Sequence, residues 1–199
     1  MLSVEPAVAQ QASSLLGQAE GILGLEFVAL LDGRAIPGGP AHRRKQSRVI
    51  YDLLSGSLPV PHIPRWVVGR VASGETTSIC ARVAAAMRTE EDSDLHLAHY
   101  LVVTDRRVLV TRRSVPNAAR ALRPTPWSPL TVGCELSRSS VRTAARTRRG
   151  FNTARLRLDF TDGSWLILGP SLGDRGGKVE RLVGALESTW GTRVLPSEQ

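Results

Sequence analysis

Lysine is almost missing from this 199-residue chain: 24 of its 26 basic residues are Arg, and only Lys45 and Lys178 are Lys. Cysteine is as scarce, with Cys80 and Cys134 set in apolar runs and no CxxC or Cys/His spacing near either. That argues against a disulfide framework and a zinc site, and leaves two buried thiols as the expectation. No apolar run approaches the roughly 18 residues a membrane span needs, and no cation precedes Arg34 to begin a leader. A cytoplasmic chain is expected. Aromatic residues make up only 5% of the sequence, too few for a platform on which single-stranded nucleic acid could stack.

What is present is positive charge, and it is unevenly placed. The formal charge is +8, yet the segment from Arg106 to Arg157 holds 13 Arg against the single acid Glu135, a net +12 in itself. The remainder is mildly acidic, so the field of the molecule should be polarised.

Sites for chemistry are hard to find. His96 and His99 are three apart, which on a strand sends them to opposite faces, and His42 and His62 sit in loops without paired carboxylates. The acidic run Glu90, Glu91, Asp92, Asp94 lacks the DxDxDG spacing and the twelfth-position Glu of a calcium loop. GDRGGK at 173–178 has Leu172 and Val179 where a phosphate-binding loop needs Gly and a hydroxyl residue. No serine stands in a GxSxG elbow. No catalytic residue, cofactor or metal is therefore assigned, and a non-enzymatic role is expected.

The apolar pattern divides the chain near Pro64. Ala7 to Leu23 repeats Val8, Leu15, Leu16, Ala19, Ile22 and Leu23 at helical spacing, and a second helical pattern runs from Ser47 to Gly56. Pro59, Pro61 and Pro64 follow as a linker. Residues 1–64 thus form a helical extension, whose apolar stripes could dock on the domain or pair two copies of it. From 65 to 199 the period falls to two, predicting strands at Thr76–Met87, Leu95–Val103, Arg107–Arg112, Val132–Leu136, Val141–Thr147, Thr153–Phe160 and Ser164–Leu168. Asp162-Gly163 closes the final hairpin. Val179, Leu182, Val183, Leu186 and Trp190 then make one stripe of a covering helix. The fold class is mainly β: a bent, seven-stranded antiparallel sandwich capped by a C-terminal helix.

The run YLVVTDRRVLV (Tyr100 to Val110), preceded by Gly74-Glu75 and followed by LRLDFTDGSWLIL (Leu156 to Leu168) and a terminal helix, resembles the bacterial pleckstrin-homology-like, GRAM-related domains over about residues 67–190. The resemblance implies the same sandwich and a role in binding. In lipid-binding relatives the phosphate is held by cations in the loop between the first two strands. Here that loop, Thr89 to Asp94, is acidic.

The basic block supplies the candidate site. If Arg149 to Asn152 turns the chain, Arg146 pairs with Arg155, Arg142 with Asp159, and Val141 with Phe160. Arg142, Arg146, Arg148, Arg155 and Arg157 then share one outer face, with Arg149 beside them. Like charges opposed across a sheet destabilise it, and a negatively charged partner would relieve the cost. An acidic protein or peptide is the expected partner; an anionic membrane surface is the alternative, and nucleic acid ranks below both.

Overall fold

The computed structural model describes residues 6–17, 19–30, 71–87, 96–115, 128–149, 152–169 and 176–188. At 96, 97, 115, 148, 149, 152 and 153 it describes the backbone alone. The Ser47–Gly56 pattern, the Pro-rich linker with the boundary at Pro64, the acidic loop and Trp190 lie outside the described residues.

Two antiparallel meanders share one strand. Strands β1 (Ile22–Leu30), β2 (Ala72–Ser73), β3 (His96–Thr104), β4 (Arg107–Val115), β5 (Thr131–Ser137), β6 (Val141–Arg149), β7 (Asn152–Phe160) and β8 (Trp165–Gly169) form a sheet in the order β5-β4-β3-β1-β8-β7-β6, with the short β2 on β8. Ile22 to Val28 of β1 pair with β3, and Ala29 and Leu30 pass over to β8. The architecture is the mainly-β, helix-capped sandwich expected from the period-two pattern.

The expected helix from Ala7 to Leu23 is only partly formed. Helix α1 (Pro6–Ser14) stops early, and Ile22 and Leu23 open the central strand. The reason is burial on both faces. Val28 of β1 joins the interior, while Leu25 packs with Val102, Leu109 and Leu130 beneath Val8 and Ala12 of α1. A strand covered on two sides reads as a continuous apolar run and not as an alternation, so its first residues can pass for the end of a helix. The stripe of α1 is spent on its own sheet.

The expected strand Thr76–Met87 is a helix, α2 (Ile79–Ala86). Its buried residues, Cys80, Val83, Ala84 and Met87, stand at i, i+3, i+4 and i+7, and the alanines that fitted a period of two fit this spacing as well. The start is fixed by three side-chain acceptors. Asp162 Oδ2 accepts from the Ile79 N–H at 2.7 Å, Ser164 Oγ from Cys80 at 3.2 Å, and Ser78 Oγ from Ala81 at 3.2 Å. The Asp-Gly turn between β7 and β8 thus caps two amides of α2 and Ser78 a third, of the four that a helix start leaves open. Burial opposes the charge on Asp162, but hydrogen bonds from Ser164 and Ile79 outweigh it and hold the carboxyl below its usual range. Gly74 lies beneath this joint with φ +152°, and a Cβ there would stand 2.5 Å from Ser78 Oγ. No side chain fits.

Helix α3 (Gly177–Glu187) closes the sandwich as expected, burying Val179, Leu182, Ala185 and Leu186. Ala185 meets Gly24 of β1, where an added Cβ would lie 2.8 Å from the alanine's. The main core runs between the two halves of the sheet through Leu101, Val103, Val108, Leu156, Leu158, Phe160, Leu166 and Leu168. Burying such side chains contributes about 2 kcal/mol each.

Candidate binding site

Strands β6 and β7 form the basic hairpin, but with another register than the alternation suggests. Val141 does face Phe160; the ladder then skips Arg142, so that Thr143 meets Asp159, Ala145 meets Arg157, Arg146 meets Leu156 and Thr147 meets Arg155. A second shift lies between Thr147 and Arg149, which pairs with Asn152. The first shift inserts Arg142 into β6 and turns the residues after it to the opposite face; at the second, one residue of β6 stands against Thr153 and Ala154 of β7, which carries the extra residue. The expected opposition of Arg146 and Arg155 is therefore not formed, and the five arginines do not share one face.

Each goes its own way. Arg142, in the first bulge, is exposed. Arg146 shares the core side with Leu156 and reaches α3, where it forms an ion pair with Glu180; its guanidinium lies over Gly176, which precedes the helix at φ +113°. Arg155 is buried on the far face. Arg157 grips Asp159 through Nε at 3.0 Å and Nη2 at 2.7 Å and stands 4.7 Å over the Trp165 ring. The hydrogen bond from Arg157 holds the Asp159 carboxyl below its ordinary range. Arg148 sits at the second bulge and Arg149 ends β6, with backbone positions only.

The motif that carries the resemblance does a different job. In the Thr104–Arg107 corner, Thr104 Oγ1 accepts from the Arg107 amide at 2.9 Å and donates to Glu20 at 2.6 Å. Asp105 accepts from the Gly21 amide at 3.2 Å. Arg107 is forked onto Glu20 at 2.9 and 2.8 Å and reaches Glu135 at 2.9 Å. The Arg107 hydrogen bond draws the Glu20 carboxyl below its usual range. Thr104 and Arg107 are turned to the protein itself and Arg106 is exposed, so three of the four TDRR residues form a joint between the chain entering β1 and strands β3, β4 and β5.

Arg138 was not singled out by its sequence, yet it makes the most buried cationic contact described in full. From the turn Arg138–Ser140 its Nη1 donates to the Thr104 carbonyl at 2.6 Å, and its Nη2 to those of Ala185 and Leu186 at 2.5 and 2.6 Å. Burial lowers its pKa, but the cation meets the negative end of the α3 dipole. A lone Arg after a strand, facing a helix without a basic last turn, is the only sequence sign of this cap.

Two titratable groups lie in the core. His99 faces inward opposite Val28 and Arg112; burial, with Arg112 adding to it, lowers its pKa to about 4. Burial likewise pushes the Cys80 thiol up to about 11. Comparison with known proteins adds nothing to this geometry: no family model, curated protein or solved structure matches the chain.

Proposed function

We propose that the chain is a non-catalytic interaction module of pleckstrin-homology-like type that binds an acidic protein or peptide through the β6–β7 hairpin. The observation that carries it is the charge of that hairpin. From Val141 to Phe160 there are six Arg and the single acid Asp159, and one further described acid, Glu180 of α3, meets the hairpin from outside. Arg142 stays exposed at the bulge. A folded surface with such an excess holds a positive potential that favours and orients a negative partner.

Other features agree with this. Two meanders meeting at β1 and closed by α3 support the pleckstrin-homology-like reading. Cys80, with its thiol pushed up, and His99, buried and neutral, are poorly suited to nucleophilic or acid–base work near neutral pH. A cytoplasmic location is part of this proposal; what is seen is that no helix among the described residues is long and apolar enough to cross a membrane. The test compares a fluorescent oligoglutamate peptide, vesicles containing anionic lipid, and an RNA oligomer, each with the wild-type chain and Arg142→Glu. Saturable peptide binding with a shallow salt dependence, lost in the variant, supports the module. A steep log-linear loss with salt on vesicles or RNA alone replaces it with a polyanion site.

A further inference from the structure

Residues paired across a ladder point the same way, so Thr143, Asp159 and Trp165 form one row on the outer face of β6, β7 and β8, and Ala145 and Arg157 stand in the next. Helix α3 lies on the other side of the hairpin, where its Glu180 meets Arg146 and its apolar stripe joins the core. Thr143 and Ala145 are exposed, and so is Arg142 in the bulge before them. Arg157 is fixed in place. Its fork onto Asp159 uses Nε and Nη2, its guanidinium carbon is 4.7 Å from the centre of the Trp165 ring, and Nη1 makes no hydrogen bond among the described residues. The side chain is still 39% exposed, so a ligand can reach it. Asp159 also accepts from Thr143 Oγ1 at 3.1 Å. The hydrogen bond from Arg157, and to a lesser extent the charges of Arg157 and Arg142, hold its carboxyl low. Arg155, the neighbour of Arg157 along this face, is buried.

We infer that Arg142 and Arg157 together take up a single carboxylate, one acidic side chain of the partner. The inference rests on the acidic-partner reading above and names the residues and the anion it uses. Charge sets the number. Two guanidinium groups against the one carboxylate of Asp159 leave one positive charge unmatched on this face. A monoanion completes the set, whereas a dianion such as a phosphate monoester exceeds it and is repelled by Asp159. Geometry sets the grip. An exposed Arg ordinarily gives up rotamer freedom when it binds an anion, but Asp159 and Trp165 have already fixed this guanidinium and left Nη1 to donate. Arg142, at the bulge, supplies the second donor, and the small side chain of Ala145 beside Arg157 leaves room for the incoming group.

NMR titration of the full chain decides it, following the Arg157 Nε–H and the Trp165 indole N–H. The probes are acetyl-Gly-Glu-Gly-amide, its Gln counterpart and its phosphoserine counterpart, with the oligoglutamate peptide as reference. The Glu tripeptide should shift both signals saturably and bind roughly tenfold more tightly than the Gln one. Arg157→Lys keeps the charge but loses the fork and the stack, and should lose most of that advantage, while the distant Arg106→Gln keeps it. Asp159→Asn should turn the preference from the Glu to the phosphoserine tripeptide, because the carboxylate that limits the face to one charge is gone. An unchanged preference in that variant, or a preference of the wild type for phosphoserine, would overturn the single-carboxylate site. If the Glu tripeptide moves neither signal, or binds Arg157→Lys as well as wild type, while oligoglutamate still binds, the site falls and acidic recognition stands elsewhere. If neither the Glu tripeptide nor oligoglutamate binds better than its Gln counterpart, the acidic-partner reading falls too.

Discussion

Two Arg-rich places in this molecule use the same side chain in opposite ways. At the Thr104–Arg107 corner and the turn after β5, Arg107 is forked onto Glu20 and Arg138 is buried on three carbonyls. In the β6–β7 hairpin one acid is its own, Asp159, and one comes from α3, Glu180, against six Arg. The contrast teaches that an Arg count says little until the oxygen opposite each guanidinium is known. Satisfied by protein oxygens the residue is a fastener, and in excess of them it is a field.

The sharpest way to break the contrast is Arg138→Ala. It uncovers the last carbonyls of α3 and the Thr104 carbonyl together, and should cost about 4 kcal/mol in urea unfolding. Next comes acid. The folded pKa of His99, about 4, lies below its unfolded value of 6.5, so its contribution is intact above pH 6.5 and is lost as pH falls toward 4. About 3 kcal/mol of unfolding free energy should disappear across that window. His99→Leu should flatten the profile there. Asp162→Ala removes the carboxylate that receives the first amide of α2 and should cost about 2 kcal/mol, with hydrogen exchange rising first in Ile79 to Ala81. Smallest in stability is Arg142→Glu, expected within about 0.5 kcal/mol of wild type by the same unfolding assay. Its effect should fall on binding alone, and an equal loss of stability would dissolve the distinction between fastener and field.

The legible parts of the fold were those with marked ends. Six strands from β3 to β8 and the stripe Val179, Leu182, Leu186 stand where alternation and helical spacing put them; β3 and β4 are buried on both faces, yet the Asp105 turn between them and the Asp162-Gly163 turn between β7 and β8 mark where strands stop. The seventh long strand was expected at Thr76–Met87 and comes instead from Ile22–Leu30, since β1 is covered on both sides and its apolar positions have no period to display. Alanine hid α2, being small enough for either pattern, and Ser78 before Ile79 was the overlooked cap. At the candidate site the hairpin was legible and its faces were not. A bulge is an event of pairing, and Arg142-Thr143 are both polar, so nothing in composition marks which of them leaves the ladder. Arg138 was illegible for a related reason: its partners are main-chain oxygens that any sequence would supply.

The shared strand also sets the order in which the molecule can assemble. Leu30 pairs with Leu168, 138 residues on, and Phe27 with Tyr100, 73 residues on, so the sheet's centre joins distant segments while the β3–β4 and β6–β7 hairpins close locally. On a ribosome β1 emerges early and must wait for β8 before its second edge is covered. Closing loops of that length is entropically slow, which places this chain with high-contact-order folders, in the millisecond-to-second range. Until then its backbone edge is open to other nascent chains. The cluster under α1 is completed by Val102, Leu109 and Leu130, so a nine-residue helix that is marginal by itself can be held on Leu25 only once those segments are in place.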